Sequence, residues 1–169
     1  GQLSIATIQM VSTSSVETNL NIAEKLVADA KADGAHLAVL PEYFCLMGHS
    51  DTDKVKIREA FGSGLIQDRL KEIARNHQIY LVAGTIPLAC DQPDKVRNTC
   101  LVFDCQGEVI ARYDKIHLFG FKQGEEEYQE SNTIEPGSKP TSFEIQINGE
   151  TWRFGVSVCY DLRFPELYR

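Results

Sequence analysis

The first forty residues contain the pattern that most restricts the fold. Leu3 to Met10 alternates apolar and polar side chains, as a strand does. Ser14-Ser15-Val16-Glu17 then offers a capping box for a helix start. Leu20, Ala23, Val27 and Ala30 follow at helical spacing, with Leu26 widening the stripe, and Gly34 supplies a stop. His36 to Leu40 is a short apolar run of the kind that forms a buried strand. Strand, helix, strand in this order predicts a βαβ unit with parallel pairing, and so an α/β protein.

The rest of the chain adds strands faster than helices. A second helix is predicted from about Leu65 to Asn76, with Leu65, Ile66, Leu70, Ile73 and Ala74 facing inward. Ile79 to Gly84 reads as the next buried strand, and Cys90 to Lys95 as a turn. Asn98 to Phe103 and Val109 to Tyr113 flank a hairpin turn at Asp104–Glu108. Asn148-Gly149, between Phe143–Ile147 and Thr151–Val158, is the strongest hairpin signal in the chain. Cys45 to Gly64 is irregular, and the acidic run from Glu125 to Glu130 reads mainly as a solvated loop.

Composition excludes several functions. The chain has 169 residues, 43% of them hydrophobic and 24% charged, with a formal net charge of -7. These values fit one globular domain. The acidic balance and the lack of a basic stripe argue against nucleic acid as a partner. No apolar run nears the roughly 20 residues that span a bilayer, so no membrane role is expected. Five cysteines, an odd number with no CxxC pair, argue against a disulfide framework and for a reducing compartment, the cytoplasm by default. The histidines at 36, 49, 77 and 117 have no metal-ligand spacing, so metal catalysis has no support in the sequence.

Three reactive side chains stand at the ends of apolar runs. Glu42 follows the buried run 36–40 and Pro41. It is either a base whose pKa is raised by apolar neighbours or a solvated loop carboxylate. Lys115 follows the second strand of the 98–113 hairpin and precedes Ile116-His117-Leu118-Phe119. It is either a cation held in a pocket or an exposed strand-end lysine. Cys159 ends the run Phe154 to Val158, with Pro165 six residues on. That pattern predicts a strand, a sharp turn and a helix start, with the thiol on the turn beside backbone N–H groups. The alternative is a small buried core thiol. A cysteine nucleophile needs a base and a cation for the oxyanion, and Glu42 and Lys115 meet those needs without histidine.

Leu40-Pro41-Glu42, Tyr113-Asp114-Lys115-Ile116-His117-Leu118 and Val158-Cys159-Tyr160-Asp161-Leu162-Arg163-Phe164-Pro165-Glu166 resemble, in order and spacing, the nitrilase superfamily of carbon–nitrogen hydrolases. The resemblance covers essentially the whole chain. It implies an α-β-β-α sandwich, of which residues 1–169 would form the N-terminal portion as a single carbon–nitrogen hydrolase domain. It also implies Glu42 as general base, Lys115 as stabiliser of the tetrahedral intermediate and Cys159 as nucleophile. The backbone N–H of Tyr160 would share the oxyanion. Tyr128-Gln129-Glu130-Ser131 matches the family's second glutamate, with Glu126 and Glu127 as neighbouring alternatives.

Cys159-Tyr160-Asp161 looks like the amidase branches, whereas nitrile-hydrolysing members usually carry Cys-Trp-Glu. The resemblance therefore implies a thiol hydrolase of small linear amides, of the ω-amidase or deaminated-glutathione-amidase kind. It would act without cofactor, as a homodimer or larger homo-oligomer. Hydrolysis of nitriles or N-carbamoyl groups is the alternative chemistry. Family members continue about a hundred residues past the nucleophile, as one large domain allows, and this chain ends ten residues after it. A fragment of a longer chain, or a non-catalytic interaction module of the same fold, is accordingly a competing expectation. A redox thiol that pairs Cys159 with Cys100 or Cys105 is a third.

Overall fold

The computed structural model describes residues 1–116, 118, 120–123, 126–157 and 161–168. β1 (Ile5–Thr7) and β2 (Leu37–Val39) pair in parallel, with Ile5 opposite Leu37, across α1 (Val16–Ala32). The opening βαβ unit is as expected. The cap of α1 is one residue later than predicted: Ser15, not Ser14, accepts the bond from Thr18 N–H at 3.2 Å. Thr13 fixes this register by bonding the buried Asn19 amide, which the capping pattern does not contain. At the other end Gly34 (φ 94°) and Ala35 donate back to Lys31 and Ala30, the double bond of a left-handed helix stop.

A short helix, α2 (Asp53–Lys56), interrupts the irregular segment before α3 (Leu65–His77). Ile66, Leu70, Ile73 and Ala74 are buried as predicted. Leu65 is 60% exposed instead, because Gln67 takes the inward position and bonds the carbonyls of Ala60 and Ser63.

β3 (Tyr80–Val82) runs parallel to β2 and antiparallel to β5 (Val96–Phe103). β4 (Ile86–Ala89), hidden from sequence reading by Pro87, lies farther along the same edge of β5. β6 (Val109–Asp114) completes the six-stranded sheet on the other edge. The acidic run holds more order than a solvated loop: β7 (Gly120–Gln123) and β8 (Glu126–Gln129) pair as a hairpin, and a 3-10 turn covers Glu130–Asn132.

β9 (Thr141–Ile147) and β10 (Glu150–Ser157) form the predicted hairpin around Asn148 and Gly149, both at positive φ. After β10 the expected helix start is replaced by β11 (Asp161–Tyr168), antiparallel to β10. β10 would otherwise present an open edge, and pairing satisfies the backbone groups of both segments. Pro165 fits because the register shifts between Arg153 and Gly155. Phe164 and Pro165 together face Phe154 at a bulge, where a missing donor costs little.

Two cores follow from this arrangement. Leu20, Ala23 and Val27 of α1 and Leu70 and Ile73 of α3 pack on one face of the six-stranded sheet. On its other face Leu37, Val39, Val82 and Val102 meet Phe143, Ile145, Phe154 and Val156 of β9 and β10. Phe143 and Phe154 stack with ring centroids 5.2 Å apart. Helix, sheet, sheet are three successive layers of the α-β-β-α sandwich. No helix among the described residues is long and apolar enough to cross a membrane.

Candidate active site

The turn carrying Glu42 is clamped to the β3–β4 connection. Leu40 N–H bonds Val82 O at 2.9 Å, and Tyr43 N–H reaches Thr85 O and Oγ1, both at 3.1 Å. Gly84, at φ 51°, lies so close beneath this turn that any Cβ would collide with the Pro41 carbonyl. Tyr43 itself takes φ 49°, unusual for a bulky residue. Glu42 is thus presented at the carboxyl end of β2, where open α/β sheets place their chemistry.

Lys115 continues β6 by one residue. Its N–H bonds Asn98 O on β5 at 2.8 Å, and its carbonyl accepts from Gly137 N–H at 2.9 Å. Its side chain is buried, 9% exposed, contrary to the reading of an exposed strand-end lysine. Nζ lies 3.0 and 3.2 Å from the two Glu130 oxygens and 3.4 Å from Glu42 Oε1. Burial works against the ammonium. The bonds to Glu130 and the charges of Glu42 and Glu130 outweigh it, so the Lys115 pKa is raised above its ordinary value.

Glu130 reaches Lys115 because its segment is pinned to the start of β5. Val96 N–H bonds Thr133 O at 2.9 Å and Glu135 N–H bonds Val96 O at 2.8 Å. The acidic run therefore turns one member inward. Glu126 and Glu127 belong to β8.

Asn98 is the residue that sequence reading missed. It is fully buried and donates from Nδ2 to Glu42 Oε1 at 2.7 Å, while its carbonyl holds Lys115 N–H. The available signal was polarity: Asn98 and Thr99 are buried side by side just before the apolar run Cys100 to Phe103. The environment expected for Glu42 also needs correction. Its carboxylate meets an amide and an ammonium instead of apolar neighbours, and its side chain is 34% exposed.

Both of those contacts use Oε1, so Oε2 has no hydrogen bond among the described residues. One oxygen is clamped and the other is available to exchange a proton, as a general base requires. Glu42 lines a cavity of about 550 Å³ with Tyr43, Leu46, Met47 and Lys54, and Lys115 in turn bonds both Glu42 and Glu130. Cys159 and Tyr160 lie outside the described residues, as does the turn predicted there. Cys100, offered above as a resolving thiol, is fully buried between the sheets, and Cys105 is partly exposed.

Comparison with known proteins agrees with this architecture. The deaminated glutathione amidase of Yersinia enterocolitica is 32% identical over 168 residues, covering 98% of this chain and 57% of the relative. The omega-amidase of Mus musculus is 34% identical over 164 residues, covering 96% and 56%. A variant of an amidase from Nesterenkonia sp. AN1, with acrylamide added at its active-site cysteine, superposes with a TM-score of 0.71. It is 25% identical and is matched over 90% of this chain and 56% of its own. This chain spans about half the length of the relatives it matches. The carbon–nitrogen hydrolase family model matches residues 4–169, and the chain belongs to that family.

Proposed function

We propose that the protein containing this chain hydrolyses small linear amides to the acid and ammonia through a thioester on Cys159. The observation that carries the reading is the buried Lys115, held between Glu130 and Glu42, the latter a lining residue of the 550 Å³ cavity. Names of the matched relatives, an omega-amidase and a deaminated glutathione amidase, support the same chemistry.

In the first half-reaction Glu42 takes the Cys159 thiol proton as sulfur attacks the amide carbonyl. Lys115 and the Tyr160 N–H hold the oxyanion. Glu130 fixes the ammonium of Lys115. The C–N bond breaks as Glu42 returns its proton to the leaving nitrogen, which departs as ammonia. In the second, Glu42 takes a proton from water as the water oxygen attacks the thioester. The C–S bond breaks, the acid is released and the proton returns to sulfur. No step calls on a metal or an organic cofactor. The assembly is a homodimer or larger homo-oligomer, and the compartment is the cytoplasm.

The test is ammonia release from a panel of small amides by the full-length protein, with Cys159→Ala as control. A loss of about a thousandfold or more is expected, in line with removal of a covalent nucleophile. Mass spectrometry of the wild type quenched during turnover should show acyl-Cys159, and Glu42→Gln should show none. Turnover retained in folded Cys159→Ala would overturn the reading.

A further inference from the structure

We propose that Arg112, Ser138 and Lys139 bind a phosphate group in a second cleft, on the opposite face of β5 and β6 from Lys115. This cleft has a volume of about 500 Å³ and shares no lining residue with the cavity at Glu42. The ligand is inorganic phosphate or the phosphate of a small organic molecule, since both present the same oxygens.

Donors without acceptors mark the cleft. Arg112 commits only Nε, to Asp114 Oδ1 at 3.0 Å, and its two terminal NH2 groups make no hydrogen bond among the described residues. That fork is nonetheless held in place. Its central carbon lies 5.0 Å from the centre of the Phe61 ring, and Thr141 Oγ1 donates to the Arg112 carbonyl at 2.9 Å. A planar fork fixed before binding loses little freedom when it takes two phosphate oxygens. Ser138 and Lys139 precede β9. Among the described residues Lys139 has no ion pair, the Ser138 hydroxyl has no hydrogen bond, and the backbone N–H groups of both are unpaired. Their loop is fastened at its base. Gly137 N–H bonds Lys115 O at 2.9 Å, and a Cβ on Gly137 would collide with the Asp114 carbonyl. Arg97 Nη1 holds the Pro136 carbonyl, and Pro136 and Pro140 restrict the backbone further.

Charge selects the ligand class. Arg97, Arg112 and Lys139 stand against Asp114 and Glu135, which leaves one positive charge in a chain whose formal net charge is -7. A positive concavity on an acidic protein collects anions. Both carboxylates are already engaged: Glu135 by Arg97 at 2.9 Å, and Asp114 by Arg112 and by the Thr99 hydroxyl at 2.7 Å. A tetrahedral dianion can meet the fork, the ammonium and the loop N–H groups together, which a planar carboxylate cannot. Phe61, 51% exposed beside the fork, gives an organic substituent an apolar surface.

The experiment is calorimetry at constant ionic strength on the full-length protein, with inorganic phosphate, phenyl phosphate and acetate as probes. One phosphate per chain is expected to bind, about tenfold or more tighter than acetate. Arg112→Met should weaken phosphate binding about tenfold or more, and Lys139→Met should also weaken it. Arg112→Lys keeps the charge without the fork and should recover only part of the affinity. Lys54→Met, in the other cavity, should leave phosphate binding unchanged. Equal affinity for the two phosphates identifies free phosphate as the ligand, and tighter phenyl phosphate binding identifies a phosphorylated small molecule. Lys139 is exposed, so Lys139→Met keeps the test readable if Arg112→Met does not fold. The proposal is overturned if neither phosphate binds, if acetate binds as tightly, or if Arg112→Met and Lys139→Met both bind phosphate as the wild type does.

Discussion

Two charged clusters share the same pair of strands and meet opposite fates. Arg97 and Asn98 are neighbours on β5, and Asp114 and Lys115 are neighbours at the end of β6. Strand alternation sends one of each pair to either side. On one side Arg97 pairs with Glu135 at 2.9 Å and Arg112 with Asp114 at 3.0 Å, with side chains 23 to 33% exposed. Arg97, Arg112 and Asp114 line a cleft of about 500 Å³ with Lys139 and Thr141. On the other side Lys115 and Glu130 pair at 3.0 Å with side chains 9% and 7% exposed, and Glu42 competes for the same ammonium. The bond lengths scarcely differ, so distance is not what separates the clusters. Water is: at the cleft each ion can be solvated if its partner leaves, whereas in the buried cluster the loss of one ion strands the others.

Removing the buried cation tests this contrast most severely. Lys115→Met should cost about 3–5 kcal/mol, because two carboxylates are left near one another without their cation. Urea unfolding of variant and wild type measures it, and a cost below about 1 kcal/mol would erase the distinction between the clusters. Asn98→Ala comes next. Loss of its 2.7 Å bond to the Glu42 carboxylate should cost about 1.5–3 kcal/mol by the same method. It should also lower kcat more than it raises KM, since Asn98 holds Glu42, the proposed base, without lining the cavity.

A smaller effect depends on pH. The folded-state pKa of Lys115 is raised above its ordinary 10.5, so its stabilising contribution is complete below that value. The contribution is lost as pH rises through the folded-state pKa. The stability gap between wild type and Lys115→Met should therefore stay level from neutral pH to about pH 10 and narrow above it. A gap that widens above pH 10 instead would contradict the assignment of the shift to Lys115. The smallest change is expected on the solvated side, where Arg112→Met should cost about 0–1 kcal/mol in urea unfolding.

Legibility in the sequence followed the range of the interactions. The βαβ unit and the Asn148-Gly149 hairpin rest on local periodicity and turn chemistry, and both were readable. β4 was not, because Pro87 masks a strand that lies along an edge of β5. β11 was not either, because the need to cover β10 outweighs the helix-start signal of Pro165, and that need is invisible locally. In the site, Glu42 and Lys115 stood out as charges at the ends of apolar runs. Choosing Glu130 over Glu126 and Glu127 took the family resemblance, and its physical basis is the long-range pinning of residues 133–135 to Val96. Asn98 escaped because an uncharged amide in a strand looks ordinary until its partner, 56 residues away, is known.

The segment between Cys45 and Glu59 is fastened at both ends to the sheet and helix framework. Asn19 holds the Cys45 carbonyl at 2.9 Å, Met47 N–H bonds Thr13 O at 2.8 Å, and Glu59 exchanges backbone bonds with Pro87 and Ala89. Between those anchors lie Lys54 and much of the cavity wall, whereas Glu42 is secured separately, through Val82 and Thr85. The stretch from Gly48 to Arg58 is thus an exchangeable cassette. A designer could graft a different length or charge there to reshape the cavity wall, leaving Glu42 and its partners Asn98 and Lys115 on their own separate mount.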